Sequence, residues 1–374
     1  MKEAERKRKI LYHQHLTSRC DAQTAARDVL ALQAQFLRHA QMSLRLRTRD
    51  DSWKQWVKQS VKTRAFRGTL HLLDAEDRLL ITSALWKDYE HRKYYMARYY
   101  TPQEEQLFCN AILDLLQQGI CGRREIYTRL VAMGLDEKLC ELACSSWDGL
   151  FAVLNIQGKV MFQHAASREF TYAPISLRSD LDACRKELVY RYLKGYGPVT
   201  LRDACYFFGW KKKELEAILQ KIHNVQMSDC SGSTVYELPE EIDAYPRIPT
   251  AVFLCGFDPL MLGYEKHENP FLPQRHLRRV FNLQGIVYPC FLYKGNVAGR
   301  WKRKPCSYSR LRTLMLCRSS RSKKQRNDCF SLHESYGRIS KKCLHPSSNC
   351  AMIAKVLYLV YAQYSSAVHS VWNE

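Results

Sequence analysis

The most restrictive feature of this sequence is an order of elements that occurs twice: three helical segments followed by a hairpin. In the better-defined copy, Thr200 is the predicted N-cap of the middle helix. The predicted elements of this copy are helices over 181–193, 201–208 and 211–222 and strands over 223–229 and 234–238. This is the order of a winged helix, a helix-turn-helix with a β-wing added. A plain helical bundle with a hairpin is the alternative.

The other copy begins at Thr101, which is followed by Pro102 and Glu104 in the pattern of a capping box. Apolar residues at helical spacing follow as far as the glycines of 119–122. The predicted elements after them are helices over 123–133 and 136–147 and strands over 150–155 and 159–162.

Outside these two copies, the sequence contains both helix and strand signals. Thr17 or Ser18 is expected to cap a helix that begins near Asp21 and runs to Leu32, and residues 67–73 read as a strand. A linker rich in Pro and acidic residues precedes a segment with several strand signals. These signals cover 252–254, 285–289, 291–293 and 297–301, with a turn at 294–296.

The sequence therefore predicts an α+β protein made of tandem winged-helix units followed by a small β-rich C-terminal domain. The predicted divisions are an N-terminal winged-helix-like unit (1–100), a second unit (101–177), a third unit (178–240), a β-rich domain (249–304) and an irregular basic tail (305–374). The loss of pattern after Trp301 has two candidate explanations: a shifted reading frame, or a disordered basic arm.

The charge of the chain points to a polyanionic partner. Its formal net charge is +21, but residues 301–374 alone carry 14 Lys and Arg against 3 Asp and Glu. The first 300 residues are therefore only moderately basic, and an ordinary solvated basic surface is the alternative to nucleic-acid binding.

The ends of the chain and its cysteines suggest a cytoplasmic protein, nucleoid-associated in a prokaryote. Residues 1–10 lack the apolar core of a signal peptide, and the apolar run 351–362 is too short to span a membrane. The 15 cysteines include no Cys-x-x-Cys pair, which argues against a zinc site. Several lie in apolar helical patterns, as expected for buried thiols in a reducing compartment: Cys109, Cys140 and Cys205.

The candidate chemistry lies in the string Ala31-Leu32-Gln33-Ala34-Gln35. In an extended chain, a spacing of two places Gln33 and Gln35 on one side. Two amides can hold a water molecule from two directions, but a neutral amide cannot act as a strong base. The pair therefore suits a reaction whose leaving group departs easily. By itself, Gln-x-Gln is also common on solvated helix ends.

A second string, Arg67-Gly68-Thr69-Leu70-His71, follows the first. Together the two strings resemble the AlkZ/YcaQ-like family of winged-helix DNA glycosylases, in which a Gln-x-Gln or Gln-x-Asp pair is the catalytic motif. With glutamine at both positions, this chain looks like the AlkZ branch. Three later stretches share the resemblance: 196–200 before Asp203, 256–259 and 299–301.

The resemblance implies a substrate, a mechanism and a set of contacts. The substrate would be a purine alkylated at a ring nitrogen in duplex DNA, including crosslinked purines. The cationic base leaves without an acid, and a water molecule held by Gln33 and Gln35 attacks the oxocarbenium-like sugar. No metal or cofactor is needed, and a monomer is expected. The candidate DNA contacts are Arg64, Arg67, Thr69, His71, Lys211, Lys212 and Lys213.

Two other classes of function remain open at this point. A non-catalytic winged-helix DNA-binding protein, such as a transcription regulator, would keep the basic surface and ignore the glutamines. A protein-interaction scaffold would not need the basic surface, and DNA binding that depends on salt would separate it from the other two.

Overall fold

The chain folds into α-helices and small antiparallel sheets. The computed structural model describes residues 1–90, 99–145 and 149–304, together with two strands at 312–317 and 328–333. The helices are α1 (Glu3–His13), α2 (Ala22–Asp28), α3 (Leu37–Arg47), α4 (Ser52–Gln59), α5 (Asp77–Glu90), α6 (Pro102–Gln117), α7 (Arg123–Ala132), α8 (Glu137–Ala143), α9 (Leu150–Ile156), α10 (Leu181–Tyr196), α11 (Leu201–Phe208), α12 (Lys212–Lys221), α13 (Pro259–Leu262) and α14 (Leu277–Val280).

The strands pair only with antiparallel neighbours. They are β1 (Leu32–Gln33), β2 (Val61–Arg64), β3 (Leu70–Leu73), β4 (Val160–Phe162), β5 (Phe170–Tyr172), β6 (Val199–Thr200), β7 (Gln226–Cys230), β8 (Ser233–Glu237), β9 (Ala251–Leu254), β10 (Cys290–Tyr293), β11 (Asn296–Lys304), β12 (Arg312–Cys317) and β13 (Asp328–His333). The sheet orders are β1-β3-β2, β4-β5, β6-β8-β7 and β13-β12-β11-β10-β9.

In the third unit the predicted helices and hairpin are confirmed. Thr200 and Asp203 form a reciprocal capping box at the start of α11, and Gly209 ends that helix in the left-handed conformation. α10 runs three residues past its predicted end, to Tyr196. The hairpin β7–β8 follows α12, and the two-residue strand β6 joins its edge.

In the second unit the capping box of Thr101 and Glu104 is confirmed, but the strand predicted over 150–155 is wrong. That segment is helix α9, and the hairpin consists of β4 and β5. Five of the six residues from Leu150 to Asn155 are buried. A short apolar run without periodicity does not distinguish a buried helix from a strand. The preceding helix, predicted to end at Trp147, ends at Ala143, and Trp147 itself lies outside the described residues.

In the N-terminal unit the helix caps and ends differ from the prediction. The N-cap of α2 is Asp21, whose side chain accepts a hydrogen bond from the Thr24 N–H (2.9 Å), and not Thr17 or Ser18. The helix ends at Asp28, so that Leu32 lies in β1.

The β-rich domain confirms three of its four predicted strand regions. β10 and β11 are joined at Lys294-Gly295, where both residues have positive φ (49° and 75°). The strand predicted over 285–289 is wrong: this segment contributes only an isolated bridge from Val287 to Phe281. The prediction of an irregular tail is wrong for β12 and β13, which extend the sheet beyond β11. Residues 334–374 lie outside the described residues.

One hydrophobic core joins the N-terminal unit, the third unit and the β-rich domain, and a separate core fills the second unit. Between α3 and α13 lies a buried ion pair, Arg47 to Asp258 (2.8 Å), with both side chains fully inaccessible. Ser43 donates a further hydrogen bond to Asp258 (3.0 Å), so the carboxylate is satisfied without water. The boundaries between the units stay predictions.

Candidate active site

Gln33 lies on β1, an edge strand that pairs with β3, the middle strand of the β1-β3-β2 sheet. Its register partner on β3 is His71, and the next partner across the sheet is Thr63. Partners in an antiparallel sheet share one face, so the three side chains lie side by side. Gln33 is 8 % exposed. Gln35 follows the end of β1 and is exposed, so the two glutamines differ in their access to solvent.

A tight turn between α2 and β1 sets the position of Gln33. Leu30 adopts a positive φ of 64°, and the Tyr196 hydroxyl donates a hydrogen bond to the Val29 carbonyl (2.9 Å). Gly195 approaches the end of α2 so closely that a Cβ there would lie 1.7 Å from the Asp28 carbonyl oxygen. α10 of the third unit therefore holds the turn that leads into the Gln-x-Gln string.

Arg67 connects Gln33 to the third unit. It lies in a short 3-10 turn with a left-handed backbone (φ 57°), between β2 and β3. Its guanidinium donates to the Gln33 side-chain oxygen (3.4 Å) and to the Phe207 carbonyl (3.5 Å). It also lies over the Phe207 ring, 5.6 Å from the centroid. The arginine thus orients the amide of Gln33 so that its oxygen faces the turn.

His71 is a buried, neutral imidazole. Its burial, followed by the nearby charge of Arg67, lowers the pKa of His71 to about 3, against the opposing effect of a hydrogen bond with Thr69. Nδ1 lies 2.9 Å from the Thr69 carbonyl, which can only accept, so Nδ1 carries the hydrogen. His71 is 2 % exposed, and its ring meets Phe66 edge-on.

Arg64 and Thr69 are half-buried around the same turn. The Arg64 guanidinium donates to the Gly68 carbonyl (2.8 Å), and the Thr69 hydroxyl donates to the Phe66 carbonyl (3.2 Å). Both contacts stabilise the connection between β2 and β3, which carries Arg67.

Asn155, a buried residue of α9, is part of the site although its sequence context did not indicate it. Its side-chain oxygen accepts from the Arg64 N–H (2.7 Å) and the Thr63 hydroxyl (3.1 Å), and its amide donates to the Val160 carbonyl (2.9 Å). It thereby joins the second unit to the sheet of the site. The available signal was a single amide within an apolar run.

The three lysines of the third unit are exposed around the start of α12. Lys211 is the N-cap, and Lys212 pairs with Glu216 of its own helix (3.7 Å). The structure thus brings Gln33, Arg67 and His71 together and leaves Lys211, Lys212 and Lys213 exposed at the start of α12. In the described part of the chain, no cluster of three or more His, Cys, Asp or Glu residues could hold a metal ion, and no helix could cross a membrane.

Comparisons of the sequence and of the structure with known proteins point to the same family. A family model described as DNA glycosylase AlkZ-like matches residues 26–325. The structure is similar to that of Streptomyces sahachiroi DNA glycosylase AlkZ, with a TM-score of 0.70 and 21 % identity, over 87 % of this chain and 93 % of that one. A search of curated proteins gives no significant match. Because the family model covers most of the sequence, the chain belongs to the AlkZ-like family of DNA glycosylases.

Proposed function

We propose that this protein hydrolyses the N-glycosidic bond of purines alkylated at a ring nitrogen, including crosslinked purines, during DNA repair. One observation supports the proposal above the rest. Gln33 is fixed by the strand register and by Arg67, and Gln35 lies exposed two residues later, outside the sheet. The fixed amide of Gln33 and the solvent-exposed amide of Gln35 are suited to position a water molecule at a substrate that approaches from solvent.

The proposed mechanism uses no charged acid or base. An alkylated purine carries a positive charge and leaves as a neutral base, while positive charge develops on the sugar. The Gln35 amide oxygen and the second lone pair of the Gln33 oxygen, the first being engaged by Arg67, stabilise that charge and orient the attacking water, whose proton is lost to bulk solvent. Because His71 is neutral, it adds no repulsion against a cationic base.

The DNA contacts are proposed at two places. Lys211, Lys212 and Lys213 are exposed and are suited to phosphates, in the manner of a winged-helix unit. Around the glutamines, Arg64, Arg67 and Thr69 are partly accessible. His71 is too deeply buried to reach DNA in this conformation, and we propose that it supports the strand behind Gln33.

The experiment is to incubate the protein with a duplex containing one 7-methylguanine and to measure free base by chromatography. We expect release from this duplex and none from the undamaged one. Gln33→Ala and Gln35→Ala should each slow release by about a hundredfold, the usual cost of one orienting or stabilising group. Gln35→Glu should keep part of the activity, since a carboxylate can also hold water. Gln117→Ala, an exposed glutamine at the end of α6, is the matched control.

A non-catalytic DNA-binding protein is the second candidate, and the small exposure of Gln33 favours it. In that case the lesion duplex is bound and no base is released at any protein concentration. That outcome, with binding intact, would contradict the proposed hydrolysis.

A further inference from the structure

A half-exposed aromatic ring stands directly after the proposed catalytic pair. Phe36 is 49 % exposed and is the next residue in the chain after Gln35. Its ring is stacked on Phe257, with centroids 5.6 Å apart and planes inclined by 24°. Since Phe257 covers one face of the ring, the exposed area lies on the other face and the edges.

Residues from two distant parts of the chain hold this ring. His39 meets Phe36 edge-on, with centroids 6.1 Å apart, and its Nδ1 accepts the Gly256 N–H (3.3 Å). A Cβ at Gly256 would lie 2.9 Å from the Val287 carbonyl oxygen and 3.1 Å from the His39 ring. Glycine is therefore needed for this close approach. Phe36, His39 and Phe257 together form an aromatic shelf.

Stability does not account for the shelf. Phe36 is the N-cap residue of α3, where Ser, Thr, Asp or Asn can accept a hydrogen bond from the helix and Phe cannot. Phe257 has a φ of 57°, a left-handed conformation that disfavours a side chain. An exposed ring, a missing cap and a strained backbone thus coincide beside Gln35. Unfavourable features that cluster in this way are typical of binding sites.

The electrostatic surroundings favour a nucleic acid over an apolar partner. Residues 29–49 contain no Asp or Glu and three arginines besides Arg47, whose charge is neutralised by Asp258 in the core. Burial lowers the pKa of His39, and its Nδ1 lone pair is engaged with Gly256, so this ring of the shelf is uncharged. The shelf therefore offers neutral aromatic surface within a basic stretch, as in proteins that hold phosphates and stack bases.

We propose that Phe36 stacks on the alkylated base and selects its cationic form. The negative face of the ring attracts a positively charged purine more strongly than a neutral one of the same shape. This inference rests on the proposed function, because it takes Gln35 to lie at the scissile nucleotide. It adds a specificity residue that the Gln-x-Gln motif does not contain.

The test uses binding to duplexes that resist hydrolysis. One contains 7-methylguanine on a 2′-fluoro sugar, and the other contains the neutral isostere 7-methyl-7-deazaguanine on the same sugar. We expect the native protein to bind the cationic duplex more tightly by about tenfold. Phe36→Leu should abolish this preference, and Phe36→Trp should increase it, because the indole face attracts a cation more strongly than the phenyl face does. Tyr190→Ala is the control, an aromatic residue of similar exposure (42 %) on the outer face of α10.

Each outcome decides the proposal. Equal binding of the two duplexes by the native protein, or an unchanged preference in Phe36→Leu, would overturn it. Circular dichroism and a melting curve show whether each variant is folded, and the Trp variant gives a result if the Leu variant is not. If the native protein releases 7-methylguanine but Phe36→Leu keeps the preference, only the shelf proposal fails. If the preference depends on Phe36 but no base is released, only the proposed hydrolysis fails.

Discussion

At the scale of single residues, the candidate site consists of neutral polar groups supported by one arginine. Gln33 and Gln35 do not titrate, and His71 has a pKa lowered to about 3. The Arg67 guanidinium donates a hydrogen bond to the amide oxygen of Gln33 and makes a cation–π contact with the Phe207 ring. Such a site cannot protonate a poor leaving group, so it suits a base that is already cationic.

The buried imidazole of His71 gives a prediction about pH and stability. The unfolded chain takes up a proton at this histidine near pH 6.5, whereas the folded chain does not until about pH 3. The stabilising contribution is therefore complete above the unfolded pKa and is lost as the pH falls below it. Between about pH 7.5 and about pH 5.5, we expect the native protein to lose about 1.4 kcal/mol more unfolding free energy than His71→Gln. Urea titrations at both pH values measure this, and equal losses would contradict the burial of a neutral His71.

At the scale of elements, the two-residue strand β1 depends on its neighbours. One edge pairs with β3, and the turn before it is tied to α10 through Tyr196. A strand this short gains little stability by itself, so the third unit fixes the position of Gln33. The second unit acts on the same sheet through Asn155.

The link through α10 is tested by comparing two buried tyrosines. Tyr196→Phe removes the hydrogen bond to the Val29 carbonyl, and Tyr192→Phe removes one to the Gly263 carbonyl (2.6 Å). Each change leaves a carbonyl without this donor, at a cost of about 1–3 kcal/mol in stability. We expect only Tyr196→Phe to lower the single-turnover rate of base release, with duplex affinity unchanged, because only this tyrosine holds the turn before Gln33. Equal rates in the two variants would show that Tyr196 has no positioning role.

Local signals predicted the elements whose ends are encoded locally. Thr200 and Thr101 gave correct helix starts, because capping depends on residues three positions apart. The helix α9 was missed because burial on every side erases periodicity. The pairing of Phe36 with Phe257, and of Arg47 with Asp258, joins residues more than 200 positions apart, and no local pattern indicates such contacts.

At the scale of the whole molecule, the glutamines lie where three parts of the chain share one core. The N-terminal unit supplies the Gln-x-Gln string, the third unit supplies Tyr196 and Phe207, and the β-rich domain supplies Phe257. The five-stranded sheet continues through β12 and β13 into the strongly basic C-terminal region. The position of the glutamines therefore depends on the packing of these three parts against one another.

The proposed function assigns chemistry, and not DNA binding, to Gln33 and Gln35. The most direct measurement compares the native protein with the double variant Gln33→Ala/Gln35→Ala on a duplex containing 7-methylguanine. Single-turnover base release and duplex affinity are measured on the same preparations. We expect release to fall by about a hundredfold or more while affinity stays within about twofold, because Lys and Arg side chains provide the affinity. A double variant that releases base at the native rate would contradict this assignment.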